Sequence, residues 1–106
     1  MKSATKLDLI VLLLLFYAAS AIAQESALEH GKDVFVMQKC ALCHSISGIG
    51  GKKLALDGAG SKLKPDVMRR WIRTPKEMKS DTTMKAYPDL PEKDLNDLVE
   101  YLMTLR

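Results

Sequence analysis

The sequence predicts a small all-α domain of about three helices. Two observations carry this. Apolar residues recur at helical spacing in three separate stretches, and no stretch alternates with the period of two that marks a strand. The connections between those stretches hold five of the six glycines and the proline punctuation. With 106 residues, 47% hydrophobic and 27% charged, the composition excludes collagen-like, low-complexity and strongly disordered classes. One folded domain is the natural count.

The N-terminus is a separate matter. Leu9 to Ala23 carries no charge, follows Lys2 and Lys6, and ends in Ala21-Ile22-Ala23. A basic start, an apolar middle and an A-x-A ending read as a secretory signal peptide over residues 1–23, cut between Ala23 and Gln24. The alternative is a membrane anchor, for which the run is short, since a span takes about 20 apolar residues. An exported, periplasmic protein occupying residues 24–106 is expected, with no stable membrane span after cleavage. The net charge of +3 falls to +2 once Lys2, Lys6 and Asp8 are removed. That is too little, and too evenly spread, to indicate nucleic acid.

The first helix is expected over 26–38. Ser26-Ala27-Leu28-Glu29 has the pattern of a capping box, and Leu28, Gly31, Val34 and Phe35 make one apolar stripe. Gly31 sits inside it at a cost of about 1 kcal/mol relative to Ala, which close approach of another helix would explain. Residues 45–61 read as a glycine-rich loop wrapped over something apolar, with Ile46, Ile49, Leu54 and Leu56 as its apolar members. Pro65 opens a short helix with Asp66 in its first turn, pairing Val67 with Trp71 and Met68 with Ile72, and Pro75 stops it. Residues 76–90 read as polar and irregular. Pro91-Glu92-Lys93-Asp94 starts the last helix, whose apolar face is Leu95, Leu98, Val99, Leu102 and Leu105, with Tyr101 at its edge.

Cys40-Ala41-Leu42-Cys43-His44 is the strongest signal in the chain. Two thiols three residues apart can bond both vinyl groups of a haem, and the imidazole that follows at once can reach its iron. Three other readings compete. A dithiol redox motif wants a βαβ context that is absent. A zinc site would have to gather Cys40, Cys43, His44 and His30 around one ion, with adjacent Cys43 and His44 badly placed to share it. A plain disulfide leaves His44 and the glycine-rich loop unexplained. Covalent haem c, one per chain, is the expected cofactor.

On these residues the chain resembles the class I c-type cytochromes, in their small single-haem bacterial form. The resemblance runs through Gly31-Lys32-Asp33-Val34-Phe35, the Cys40–His44 motif, Leu56-Asp57-Gly58-Ala59-Gly60-Ser61-Lys62-Leu63 and Trp71-Ile72-Arg73-Thr74-Pro75. It continues through Met84-Lys85-Ala86-Tyr87-Pro88 and the helix Asp94–Leu105. It implies a cytochrome c-like fold around the haem, with first and last helices crossing at Gly31, Phe35 and Tyr101. One departure stands out. Many members carry Gly-Pro before the loop Leu, where the Pro carbonyl orients the proximal His; here the step is Lys53-Leu54, and a backbone carbonyl must serve.

The resemblance implies iron ligation by His44 and, on the opposite face, Met84, which lies in the family's Met-x-x-Tyr/Phe context. A His/Met pair raises the reduction potential. Met78 is the rival in the same loop, and His30, expected at the surface, or an open site are the remaining alternatives. Met68 belongs to a helix face, the usual gap-filling place for methionine. The implied function is one-electron transport between exported or membrane redox proteins, not catalysis. A haem subunit of a larger dehydrogenase or oxidase complex, or an open-site haem protein, would be the alternatives. Lys39, Lys52, Lys53, Lys79 and Lys85 flank the motif and the Met loop, where they would either steer acidic partners or simply be solvated.

Overall fold

The computed structural model describes residues 5–106. Lys2, in the basic start of the expected signal segment, lies outside them. Helix α1 runs without a break over Lys6–Met37. The expected start at Ser26 is therefore corrected. No Gly or Pro falls between Lys6 and His30, and Gln24-Glu25-Ser26-Ala27 is a helix-tolerant sequence, so the preceding turn already supplies the acceptors that a cap would. The capping box lies instead at Thr5 and Asp8: the Thr5 Oγ1 accepts from the Asp8 amide at 3.3 Å, and Asp8 Oδ2 accepts from the Thr5 amide at 3.0 Å. None of residues 5–26 is buried. By length and composition the apolar half is sufficient to cross a membrane.

Two further long helices, α3 (Pro65–Arg73) and α5 (Glu92–Met103), complete the expected three. One-turn helices α2 (Ala59–Lys62) and α4 (Pro75–Met78) lie between them. Residues 76–90 are thus not wholly irregular: Pro75 ends α3 and, with its fixed φ, also begins a new turn. A second correction concerns strands, of which the sequence suggested none. Chain segments β1 (His44–Ile46), β2 (Ile49–Gly50) and β3 (Leu54–Ala55) form a small sheet in the order β2-β1-β3. Ser47 and Gly48, with φ of 51° and 78°, make the two-residue turn between antiparallel β1 and β2. β1 and β3 run parallel, with His44 opposite Leu54. Strands of two or three residues are too short to display a period.

The core is Val34 and Phe35 of α1, Met68 and Ile72 of α3, and Leu95, Leu98, Val99 and Leu102 of α5, joined by Leu90. The stripes read from the sequence are these faces. α1 crosses α5 at Gly31, where a Cβ would lie 2.8 Å from the Cβ of Tyr101 and closer still to the Asp97 carbonyl oxygen. One turn on, the Phe35 and Tyr101 rings meet edge to face with centroids 6.0 Å apart.

His30, expected at the surface, keeps 36% of its side chain exposed but is also paired. Its Nδ1 stands 2.7 Å from Asp97 Oδ2 and its Nε2 3.3 Å from Asp94 Oδ1, tying α1 to α5 beside the crossing. Lys93 Nζ donates to the same Asp97 oxygen at 2.7 Å. The bond from Lys93, and then that from His30, hold the Asp97 carboxyl below the usual carboxylate range, against the opposing pull of burial. A depressed native value means stability that is present above the unfolded value of about 3.9 and lost as pH falls through the native one. Thermal melts should therefore drop between pH 5 and pH 2, and the drop should shrink in Asp97→Asn. An equal drop in that variant would assign acid lability to other carboxylates.

Candidate haem site

The site is built on the exit from α1. The Gln38 and Lys39 amides close the helix by donating hydrogen bonds to the Val34 and Val36 carbonyls, and Lys39 takes the left-handed conformation at φ 59°. This reversal throws the chain into a 3-10 turn over Cys40–Leu42, closed by the Cys43 amide on the Cys40 carbonyl at 3.2 Å. Both sulfurs consequently sit on one turn, unlinked to each other. Cys40 is half-buried against the core, and that burial pushes its thiol pKa up; Cys43 is exposed.

His44 opens β1. Its Nδ1 lies 3.2 Å from the Leu54 carbonyl oxygen, its partner across the parallel ladder. A carbonyl only accepts, so Nδ1 is the donor of this bond, and in the neutral ring that tautomer leaves the Nε2 lone pair for a metal. The ladder supplies what the missing Gly-Pro does elsewhere. Lys53 and Leu54 amides donate to the Cys43 carbonyl at 3.0 and 3.4 Å, and the Leu56 amide to that of Ser45 at 2.8 Å. Gly51 lies so close under the motif that a Cβ there would meet the Cys43 carbonyl carbon at 2.7 Å and the Leu42 oxygen nearer still.

Met84 is half-buried at the edge of the core, in the segment after α4, and its amide donates to Thr82 Oγ1 at 3.2 Å. Two long-range bonds draw this segment to the motif. Tyr87 Oη donates to the Gln38 carbonyl at 3.0 Å, and Lys53 Nζ donates to Thr83 Oγ1 at 3.3 Å. One joins the Met84 loop to the chain just before Cys40, the other to the chain just before Leu54. Burial pushes the Tyr87 hydroxyl pKa up, and the nearby Cys40 and Cys43 thiols add to it. Tyr87 as a loop anchor was not identified from the sequence, where the Tyr87-Pro88 context was the hint.

The other candidates are placed elsewhere. Met68 is core, Met78 is half-buried on α4, and both ring nitrogens of His30 face carboxylates. Among the described residues no three His, Cys, Asp or Glu side chains converge as a metal site of those residues would require. Lys53 is spent on Thr83, Lys79 lies 4.0 Å from Asp81, and the Lys85 ammonium stands over the Tyr87 ring at 5.3 Å.

The donor set fits a haem. It comprises two free thiols on one turn, an imidazole with its outer nitrogen free, and a neutral thioether on a loop bonded to the same segment. Half-buried Ile46, Leu56 and Leu63 pack against the core, while Ile49 and Leu54 keep 81% and 59% of their surface exposed. A helical domain that suspends a CxxCH motif between crossing first and last helices defines the haem electron-transfer class. The cytochrome c family model matches residues 28–106, and the chain belongs to that family. Subunit 2 of cytochrome c oxidase from Alkalihalophilus pseudofirmus is 29% identical over 92 residues, which take in 77% of this chain and 27% of the relative. The chain therefore spans about a quarter of that relative's length. No solved structure matches.

Proposed function

We propose that this chain is a single-haem, one-electron carrier. In this reading Cys40 and Cys43 hold the haem by two thioethers, and His44 Nε2 and the Met84 sulfur are its axial ligands. The observation that carries it is the His44–Leu54 bond, which fixes the ring through one nitrogen and leaves the other for iron. The bound haem supplies the Fe(III)/Fe(II) couple. The chain's own task is to keep both ligands in place in both states. The β1–β3 ladder holds His44, and the Tyr87 and Lys53 bonds hold the loop of Met84. Denatured protein should stain for haem on a gel, and Cys40→Ala with Cys43→Ala should abolish the stain. Loss of colour from the denatured wild type would refute covalent attachment.

The reading extends to location. Residues 1–23 act as a signal peptide, and removing them touches no core residue, since burial on α1 begins at Gly31. The mature protein is then exported and exchanges electrons with exported or membrane redox proteins. Mass spectrometry of purified protein should show a chain starting at Gln24. A mass that retains residues 1–23 would make the apolar helix an anchor.

A second reading is favoured by the oxidase-subunit relative: a haem domain fixed in a larger complex. Native sizing separates the two, because a free carrier elutes as a small protein.

A further inference from the structure

After Met84 the chain runs to Leu90 without regular structure, and its carbonyls need donors from outside. Arg73, the last residue of α3, provides them. Its Nη1 donates to the Tyr87 carbonyl at 3.1 Å and the Pro88 carbonyl at 2.9 Å, while Nη2 donates to Glu92 Oε1 at 3.0 Å. Glu92, in the first turn of α5, also accepts from Arg69 at 3.4 Å. The Tyr87 amide donates to the Ile72 carbonyl at 2.9 Å, one residue before Arg73. Three backbone atoms just beyond Met84 are thus tied to the last turn of α3. The bond of the Met84 amide, by contrast, stays within its own loop.

A guanidinium suits this task. It is planar, permanently charged, and its rigid fork can serve two carbonyls and a carboxylate together; an ammonium is a single point on a flexible stem. The Arg73 side chain is only 22% exposed, so water competes weakly for these bonds. The distance between the end of α3 and Pro88 is set by that fork. So is the placement of the loop relative to the domain.

We infer that Arg73 is the positioning residue for the sixth ligand, fixing how firmly the Met84 thioether is presented and so how readily an outside ligand displaces it. This rests on the reading of Met84 as an axial ligand. Arg73 makes no hydrogen bond to Met84 itself; its bonds in this loop are to the backbone of Tyr87 and Pro88.

The test is an imidazole titration of the haem-loaded ferric protein, read by the weak red-end band of Met ligation, together with amide exchange at Tyr87. Arg73→Ala should raise the imidazole association constant by about tenfold or more, the scale of losing charge-assisted hydrogen bonds. It should also speed Tyr87 amide exchange. Arg73→Lys should fall between that variant and wild type. Gly31→Ala, which strains the helix crossing away from the loop, should lower the melting temperature and leave imidazole affinity unchanged. Wild-type affinity in a folded Arg73→Ala protein would overturn the proposal. Affinity raised as much in Gly31→Ala would also overturn it, by making the effect one of general stability. If Arg73→Ala does not fold, Arg73→Lys decides, and wild-type affinity there overturns the proposal. Met84→Ala separates the two claims: an unchanged band and unchanged imidazole affinity in that variant would sink the ligand reading itself, whereas an altered Met84→Ala with unaltered Arg73 variants would sink only the role of Arg73.

Discussion

Met84→Ala should lose the red-end charge-transfer band and open the iron to cyanide and carbon monoxide. Its reduction potential should fall by a sizeable part of the ~0.8 V that axial ligands span. A thioether is a soft, neutral ligand that favours Fe(II), so removing it favours Fe(III). The side chain is half-buried at the core edge, and its loop is bonded to the chain before Cys40 through Tyr87 and to the chain before Leu54 through Thr83. Met78, carried on the one-turn helix α4, is the control. Met78→Ala should leave band and potential unchanged. The reverse pattern would make Met78 the ligand, and an unchanged spectrum in both would favour an open-site haem protein.

Gly31→Val should destabilise the domain by about 2–4 kcal/mol, at and beyond the top of the ordinary overpacking range, because the obstruction is backbone and cannot rotate away. A Cβ at Gly31 meets the Asp97 carbonyl oxygen and, at 2.8 Å, the Cβ of Tyr101. Even Gly31→Ala, worth about 1 kcal/mol of helix propensity in an open helix, should be net destabilising here. For a domain of this size each kcal/mol lowers the melting point by roughly 4–8 °C. A Gly31→Ala protein that melts higher than wild type would refute the close crossing.

Both crossing faces were legible in the sequence. Leu28, Gly31, Val34 and Phe35 on one helix, and Leu95, Leu98, Val99 and Leu102 on the other, follow the 3.6-residue period that burial imposes. The motif Cys40–His44 was legible because its chemistry is local, three donors within five residues. What escaped reading was either short or distant. The sheet rests on strands of two or three residues, held by a turn and by the register of His44 on Leu54. The start of α1 was misplaced because Ser26 has the residue types of a cap but no free helix end to satisfy. Tyr87 bonds a carbonyl 49 positions away, and His30 an acid 67 positions away. Nothing in local composition marks such pairs, and the reason for a buried acid such as Asp97 on an apolar face is visible only once Lys93 and His30 are placed beside it.

The clasp between α1 and α5 also has a consequence in time. His30 and Asp97 are 67 positions apart, and every donor of the site is strung on the chain between them. Closing a flexible loop of that length costs about 4 kcal/mol of chain entropy before any contact offsets it. Each helix can form locally within about a microsecond, yet the crossing cannot. Refolding of this mostly helical chain should therefore run slower than for a helical bundle with local contacts, since its rate is governed by the search of one end for the other.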